Sequence, residues 1–239
     1  MKIVLRALPL LLASAFAFSP GVAQAKQAVA STTQVGICAY LHPLTDKVDA
    51  LHQALAEVVP PTLHDPGNIT YEVMREPDGA FFLHERWRSQ DALDRHMRTA
   101  HLKHFASQVP DLIESSASQT HVGKLLFAAS GAVTKESVSN ANQVVHVCSV
   151  QQPRASKAQA VRAALTILAK GSSAEPGMIT FQLYQQQDGT LFTYQAWRSP
   201  QAWQTHMDSS QVKAFIEHTA RWMQGDQVHI GTRILPVHP

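Results

Sequence analysis

The sequence returns to itself at a fixed offset of 110 residues. Asp65-Pro66-Gly67-Asn68-Ile69-Thr70-Tyr71 recurs as Glu175-Pro176-Gly177-Met178-Ile179-Thr180-Phe181, and Asp78-Gly79 as Asp188-Gly189. Trp87-Arg88-Ser89 recurs as Trp197-Arg198-Ser199, His96-Met97 as His206-Met207 and Phe105 as Phe215. The two cysteines, Cys38 and Cys148, obey the same offset. An ungapped series that includes rare residue types means duplication of a unit of roughly 105 residues, the size of a domain rather than of a solenoid repeat. The 239 residues are therefore read as an export signal over 1–25, a first domain over 26–128, a connection over 129–139 rich in Ala, Ser and Thr, and a second domain over 140–239.

The leading segment has the three parts of a secretory signal. Lys2 and Arg6 make a basic start, Ala7 to Phe18 is apolar, and Ala23-Gln24-Ala25 is a small-x-small cleavage site. The apolar run carries Pro9 and is shorter than the roughly 20 residues of a bilayer-spanning helix, so cleavage and release into a periplasm or the medium are expected. The formal net charge of +2 falls to zero once Lys2 and Arg6 are removed. A neutral mature chain without clustered Lys and Arg lacks the electrostatic footprint of a nucleic-acid or membrane-surface binder. Two cysteines are too few for a disulfide framework, and neither sits at zinc-ligand spacing.

Periodicity gives the order of elements in each unit. Val35, Ile37, Ala39 and Leu41 alternate as in a strand, and Val48, Leu51, Leu55 and Val58 share a helical face behind a cap at Thr45 or Asp46. Ser156 is the matching cap candidate in the second copy. Asn68–Arg75 and Ala80–Arg88 flank the turn Pro77-Asp78-Gly79 as a hairpin. Ser89 caps a helix that presents Ala92, Leu93, His96 and Met97 on one face; a further helix with Leu102 and Phe105 stops near Pro110, and His121–Phe127 makes a last strand. The order βαββαβ is that of an α+β, ferredoxin-like unit, whose sheet has helices on one face and needs cover on the other. The second copy is the obvious cover. Cys38 and Cys148 stand one position off the apolar alternation, so both should face the opposite sheet, where they can pair if their Cα atoms lie within about 7 Å.

Pro66-Gly67, then Ile69-Thr70-Tyr71-Glu72, Glu85-Arg86-Trp87-Arg88-Ser89, Ala92-Leu93, His96, His101-Leu102 and Phe105 closely resemble the antibiotic biosynthesis monooxygenase family. The resemblance covers most of each repeat. It implies two ferredoxin-like repeats forming an intrachain dimeric α/β-barrel, a working unit that is one chain or a higher homo-oligomer, and a pocket between a sheet and its own helices. It also implies oxygenation of a small quinol or polyphenol by O2 without flavin or metal. A non-catalytic periplasmic module binding an aromatic ligand or haem is the rival reading. Haem-degrading members carry an Asn on the first strand, and Gln34–Tyr40 has none.

The two copies differ where the chemistry should be. Glu72, Glu85 and His101 become Gln182, Gln195 and Gln211, and an amide cannot exchange protons near neutral pH. The first repeat is therefore expected to hold the site, with a residual second site left open by the pairing of His96 with His206; His96 is the neutral base on an apolar helix face, Glu85 orients it or bonds a substrate hydroxyl, and Trp87 walls the pocket. Each has a plain alternative, as a core histidine, a surface ion pair and core packing. Glu72, Thr70, His101 and Tyr40 are expected to contact substrate. His101 and His104 share a helix face, which admits a metal or haem pair, but no carboxylate stands at regular spacing to complete such a site. Glycine-rich phosphate loops and a nucleophile elbow are absent, so nucleotide cofactors and serine hydrolysis have no support in the sequence.

Overall fold

The computed structural model describes residues 33–131 and 143–235. The export signal over 1–25 and most of the connection over 129–139 lie outside the described residues. The first repeat runs β1 (Val35–Leu41), α1 (Val48–Thr62), β2 (Asn68–Arg75), β3 (Phe81–Trp87), α2 (Gln90–His96), α3 (Ala100–Gln108) and β4 (Gln119–Ser130). The second repeats the order as β5 (Val145–Pro153), α4 (Ala158–Ser172), β6 (Met178–Gln185), β7 (Leu191–Trp197), α5 (Pro200–Asp208), α6 (Ser210–Thr219) and β8 (Met223–Leu235). The expected elements are present in the expected order.

The two sheets are one closed barrel, β1-β3-β2-β8-β5-β7-β6-β4, with antiparallel neighbours throughout. The fourth strand of each repeat makes the join. β4 is longer than the His121–Phe127 expected from alternation: residues up to Lys124 pair with β1, and Lys124–Ser130 pair with β6 of the other repeat. β8 likewise pairs with β5 up to Gly231 and then with β2 from Thr232 to Leu235. β4 thus enters the first two residues of the segment expected to be connection, because those residues complete ladder bonds that only the second repeat can supply.

Closure gives every strand an inner and an outer face. Val35, Ile37, Ala39 and Leu41 of β1 pack outward with Leu51, Leu55 and Val58 of α1 in one core. Cys38 points inward, with Met74, Phe82, Cys148, Val150, Tyr184, Phe192 and Tyr194, in a core that draws on both repeats. There Cys38 and Cys148 form a disulfide with Cα atoms 6.6 Å apart, as the off-alternation positions suggest. The copies also fill the barrel differently. At Gly36 a β-carbon would overlap the ring of Tyr184, so the missing side chain makes room for a tyrosine of the opposite repeat.

Helix starts follow expectation in part. Ser89 accepts from Ala92 N at 3.2 Å, but α1 begins after Lys47 with no side-chain cap, Asp46 instead taking a positive φ of 69° in a tight turn. A 3-10 turn over Ala155–Lys157 replaces the expected Ser156 cap before α4. Both long helices are held by their buried apolar faces rather than by caps. Met97 is exposed although Ala92, Leu93 and His96 are buried, because α2 stops at His96 and the chain turns away.

Because the disulfide closes a loop spanning both repeats, replacing Cys38 and Cys148 together by Ala is expected to lower unfolding free energy by about 2–4 kcal/mol. Thiol counting under denaturing, non-reducing conditions should find no free thiol; two would contradict the bond.

Candidate active site

The site is assembled by a turn, not by a sheet face alone. Gly67 has φ 93°, which favours glycine, and a β-carbon there would meet Ala92 Cβ of α2 at 2.5 Å. Arg88 N donates to Gly67 O at 2.9 Å, tying the loop before β2 to the end of β3. Pro66-Gly67, Trp87-Arg88-Ser89 and Ala92 are therefore a single contact, and its consequence is to set Asp65 beside the last residue of α2, His96. Gly177 and Ala202 make the same contact in the second repeat.

His96 is 2% exposed, and its Nδ1 donates to Asp65 Oδ2 at 2.7 Å. His101 Nε2, from the first turn of α3, reaches the same oxygen at 3.0 Å and Thr99 Oγ1 at 3.1 Å. The His96 ring stacks on Trp87 with centroids 4.5 Å apart. Trp87 is fixed from behind, its Nε1 donating to Glu85 Oε2 at 2.9 Å. Burial lowers the pKa of His96, the Asp65 bond and charge opposing it, and the nearby His101 adds to the lowering. Burial pushes the Glu85 carboxyl up to about 7, against the bond from Trp87 that favours its ionised form.

His96, Glu85, Trp87 and His101 are thus brought together, with one change of role. Asp65, not Glu85, orients His96. Asp65 escaped the sequence reading because it precedes the hairpin and has no periodic relation to the helix. A signal was there: position 65 keeps a carboxylate as Glu175 in the second copy, while three other titratable positions become amides.

Glu72, Thr70 and Tyr40 do not join this site. β2 and β3 pair Tyr71 with Glu85 and Glu72 with His84, so Tyr71 shares the outer face with Glu85 while Glu72 turns inward. Inside the barrel Glu72 accepts from Arg233 Nη1 at 2.7 Å and from Tyr194 OH at 2.8 Å, and His84 lies flat on the Tyr194 ring at 3.4 Å. Thr70 is opposite Arg86, on the Glu72 side of the sheet. Tyr40 stacks on His229 of β8 at 4.0 Å. The expectation that these three contact the same substrate as His96 fails on geometry, because the sheet stands between them.

The second repeat keeps more than expected. His206 is 2% exposed, lies tilted against Trp197 with centroids 4.3 Å apart and holds both oxygens of Glu175 at 3.1 Å. Gln195 Oε1 accepts from Trp197 Nε1 at 3.2 Å, as Glu85 does from Trp87. A surface groove lined by Glu175, Arg198, Thr205 and Gln211 opens beside it. The carboxylate–histidine–tryptophan unit is common to both copies; Glu85 and His101 belong to the first alone.

Three donor atoms of Asp65, His96 and His101 lie within 4.8 Å of one another, so a carboxylate does complete a possible metal-ligand set, from a loop rather than from helix spacing. His104 is not part of it: it is exposed and bonds Gln108 at 2.8 Å.

A sequence profile described as antibiotic biosynthesis monooxygenase matches residues 35–108 and again 144–218, more than half of the chain. A Mycobacterium tuberculosis protein bearing the name "Putative monooxygenase Rv0793" is 30% identical over 95 residues, which are 39% of this chain and 94% of that protein. The relative is therefore the size of one repeat. A solved Fusobacterium nucleatum structure of a protein named in the same way superposes with a TM-score of 0.71 at 13% identity, over 85% of this chain and 93% of its own. A structure described as an anthrone oxidase-like protein gives a TM-score of 0.66 at 13% identity, over 85% and 92%. Those two likenesses bear on the fold, and each covers 85% of this chain. The chain belongs to the antibiotic biosynthesis monooxygenase family, as a tandem duplication of its domain within one polypeptide.

Proposed function

We propose that this chain is a monooxygenase of a quinol or other polyphenolic aromatic compound, working with O2 and without a cofactor, and that its pocket lies in the first repeat. Family membership supports the reaction class. The observation that carries the rest is the bond from His96 to Asp65. With Nδ1–H given to the carboxylate, the lone pair of His96 sits on Nε2, which makes no hydrogen bond to any described residue. Burial keeps the ring neutral, ready to take a proton, and Asp65 stabilises the imidazolium that results.

His96 removes a phenolic proton, and the electron-rich anion reacts with O2 at a conjugated C–H carbon to give a hydroperoxide. Loss of water from that carbon leaves a carbonyl, so one oxygen atom stays in the product and the other leaves as water, with electrons supplied by the substrate. The protein's part is to hold the ring, exclude solvent and keep the base in place. Trp87, stacked on His96 at 4.5 Å, and Tyr71, whose ring lies edge-on to it at 6.1 Å, hold the base in place. Glu85, whose carboxyl burial pushes up to about 7, holds Trp87 against the base through its bond to Nε1. Export to the periplasm or the medium is supported by the Cys38–Cys148 disulfide, a bond that persists in oxidising compartments. Because the barrel closes within one chain, the working unit needs no second copy.

Oxygen uptake with a panel of hydroquinones, run metal-free, tests the proposal; binding without uptake would favour the rival reading of a binding module. His96→Ala is expected to cut uptake at least about 100-fold while the protein still folds, with a lowering of melting temperature matched by that of His206→Ala. His206→Ala should cost no more than a few-fold, since Gln195 and Gln211 leave that copy without Glu85 or His101. Equal losses would defeat the one-site reading.

Glu85 makes a separate prediction through pH. Its carboxyl ionises near 4.5 in the unfolded chain and at about 7 in the fold, so the unfolded state loses its proton first and stability falls as pH rises through that window. Glu85→Gln keeps an acceptor for Trp87, as Gln195 does for Trp197, and removes the penalty. Urea unfolding should find the variant unchanged near pH 4 and more stable by roughly 1–3 kcal/mol at pH 8. A pH-independent difference would contradict it.

A further inference from the structure

We infer that Asp65, His96 and His101 form a binding site for one divalent transition-metal ion of the zinc, cobalt or iron(II) class, and that the bound ion takes the base function of His96 away. The second half rests on the function proposed above; the first does not.

The geometry is close to what such an ion needs. His96 Nδ1 and His101 Nε2 stand 2.7 and 3.0 Å from one carboxylate oxygen of Asp65. Around an ion with nitrogen and oxygen ligands at about 2.0–2.1 Å, adjacent ligands stand about 3.0–3.4 Å apart, so each imidazole nitrogen needs to move from the carboxylate oxygen by only a few tenths of an ångström, and all three donors already lie within 4.8 Å of one another. Two imidazoles with one carboxylate suit first-row transition metals; calcium and magnesium prefer all-oxygen sets.

Asp65 and His96 come from elements that the Gly67–Ala92 contact already holds together, His101 follows on α3 where Thr99 N donates to His96 O at 2.9 Å, and Trp87 stacked on His96 fixes one ring plane. The Asp65 and His101 side chains are 12% and 21% exposed while that of His96 is 1%, so an ion can enter from the His101 side and keep water in its remaining positions. In the second repeat Gln211 replaces His101, leaving Glu175 and His206 as a two-ligand remnant. One ion per chain follows from that difference, not two.

The cost to the base is a matter of tautomers. An ion on Nδ1 takes the nitrogen that now donates to Asp65, and the single proton of the neutral ring moves to Nε2. A protonated Nε2 cannot accept a phenolic proton. The ion and the base therefore exclude each other, and the exchange turns on His101, the residue the second repeat lacks.

Full-length mature protein without an affinity tag, stripped with chelator, is titrated with Co2+ under visible absorption and with Zn2+ by calorimetry. One saturable site per chain is expected, weakened at least tenfold by His101→Gln, which installs the amide of the second repeat, and by Asp65→Asn. His104→Gln, a neighbouring exposed histidine, should leave it unchanged. Absence of a stoichiometric site, or a site indifferent to His101→Gln, would overturn the assignment. Proton-detected 15N spectra of histidine-labelled protein then read the His96 tautomer: Nδ1 protonated without metal, Nε2 protonated with Zn2+. An Nε2 that stays bare with zinc bound would overturn the exclusion while leaving the site. Neither measurement uses turnover, so failure of the oxygenase reading would show separately as absent oxygen uptake in the stripped protein.

Discussion

Closure of the barrel through the long fourth strands is the constraint on which the rest depends. β4 and β8 each pair with their own repeat along one half and with the other repeat along the rest, so the two copies share a continuous ladder of backbone hydrogen bonds. A sheet with no free edge has an inside and an outside, and side chains two residues apart cannot leave the face they start on. The inside takes the disulfide, the stacked His84 and Tyr194 and the Glu72–Arg233 ion pair. The outside, under the helices, takes Glu85, Trp87 and His96. Nothing in the local sequence separates a glutamate meant for one face from a glutamate meant for the other.

Duplication within one chain releases the copies from being identical. Tyr184 of the second repeat occupies the space that Gly36 of the first leaves open, and Tyr194 stands where the first repeat has His84. Burial raises the pKa of both tyrosines and lowers that of His84 and of His146, so at neutral pH these groups are uncharged and Arg233 is the cation facing Glu72. A partly buried ion pair of this kind adds little net stability, but it is costly to leave half-made. Such a contact favours pairing the first repeat with the second over pairing it with another copy of itself.

The same freedom acts at the site. Both copies retain a carboxylate, a histidine and a tryptophan in one geometry, held by one glycine-to-alanine contact. That shared unit is a scaffold for a neutral histidine with a directed lone pair. The first copy adds a carboxyl that titrates near neutrality and a second imidazole on the same aspartate; the second copy has amides in both places. Proton chemistry can run on the first arrangement, and the second can hold shape without it.

The sequence by itself determined the duplication, the βαββαβ order, the family, the Ser89 cap, the inward direction of both cysteines and the burial of His96, because these follow from internal offset, local periodicity and local capping geometry. Tertiary structure alone decided who meets whom across strands and loops. The register that sets Tyr71 opposite Glu85, with an irregularity between Asn68 and Thr70, sends Glu72 and Thr70 into the barrel, and a shift of one residue would have reversed that assignment. Asp65 joins His96 from 31 residues away because Gly67 can approach Ala92, a contact no periodicity encodes. Strand register and close backbone approach are properties of partners, and a single chain read in order does not contain them.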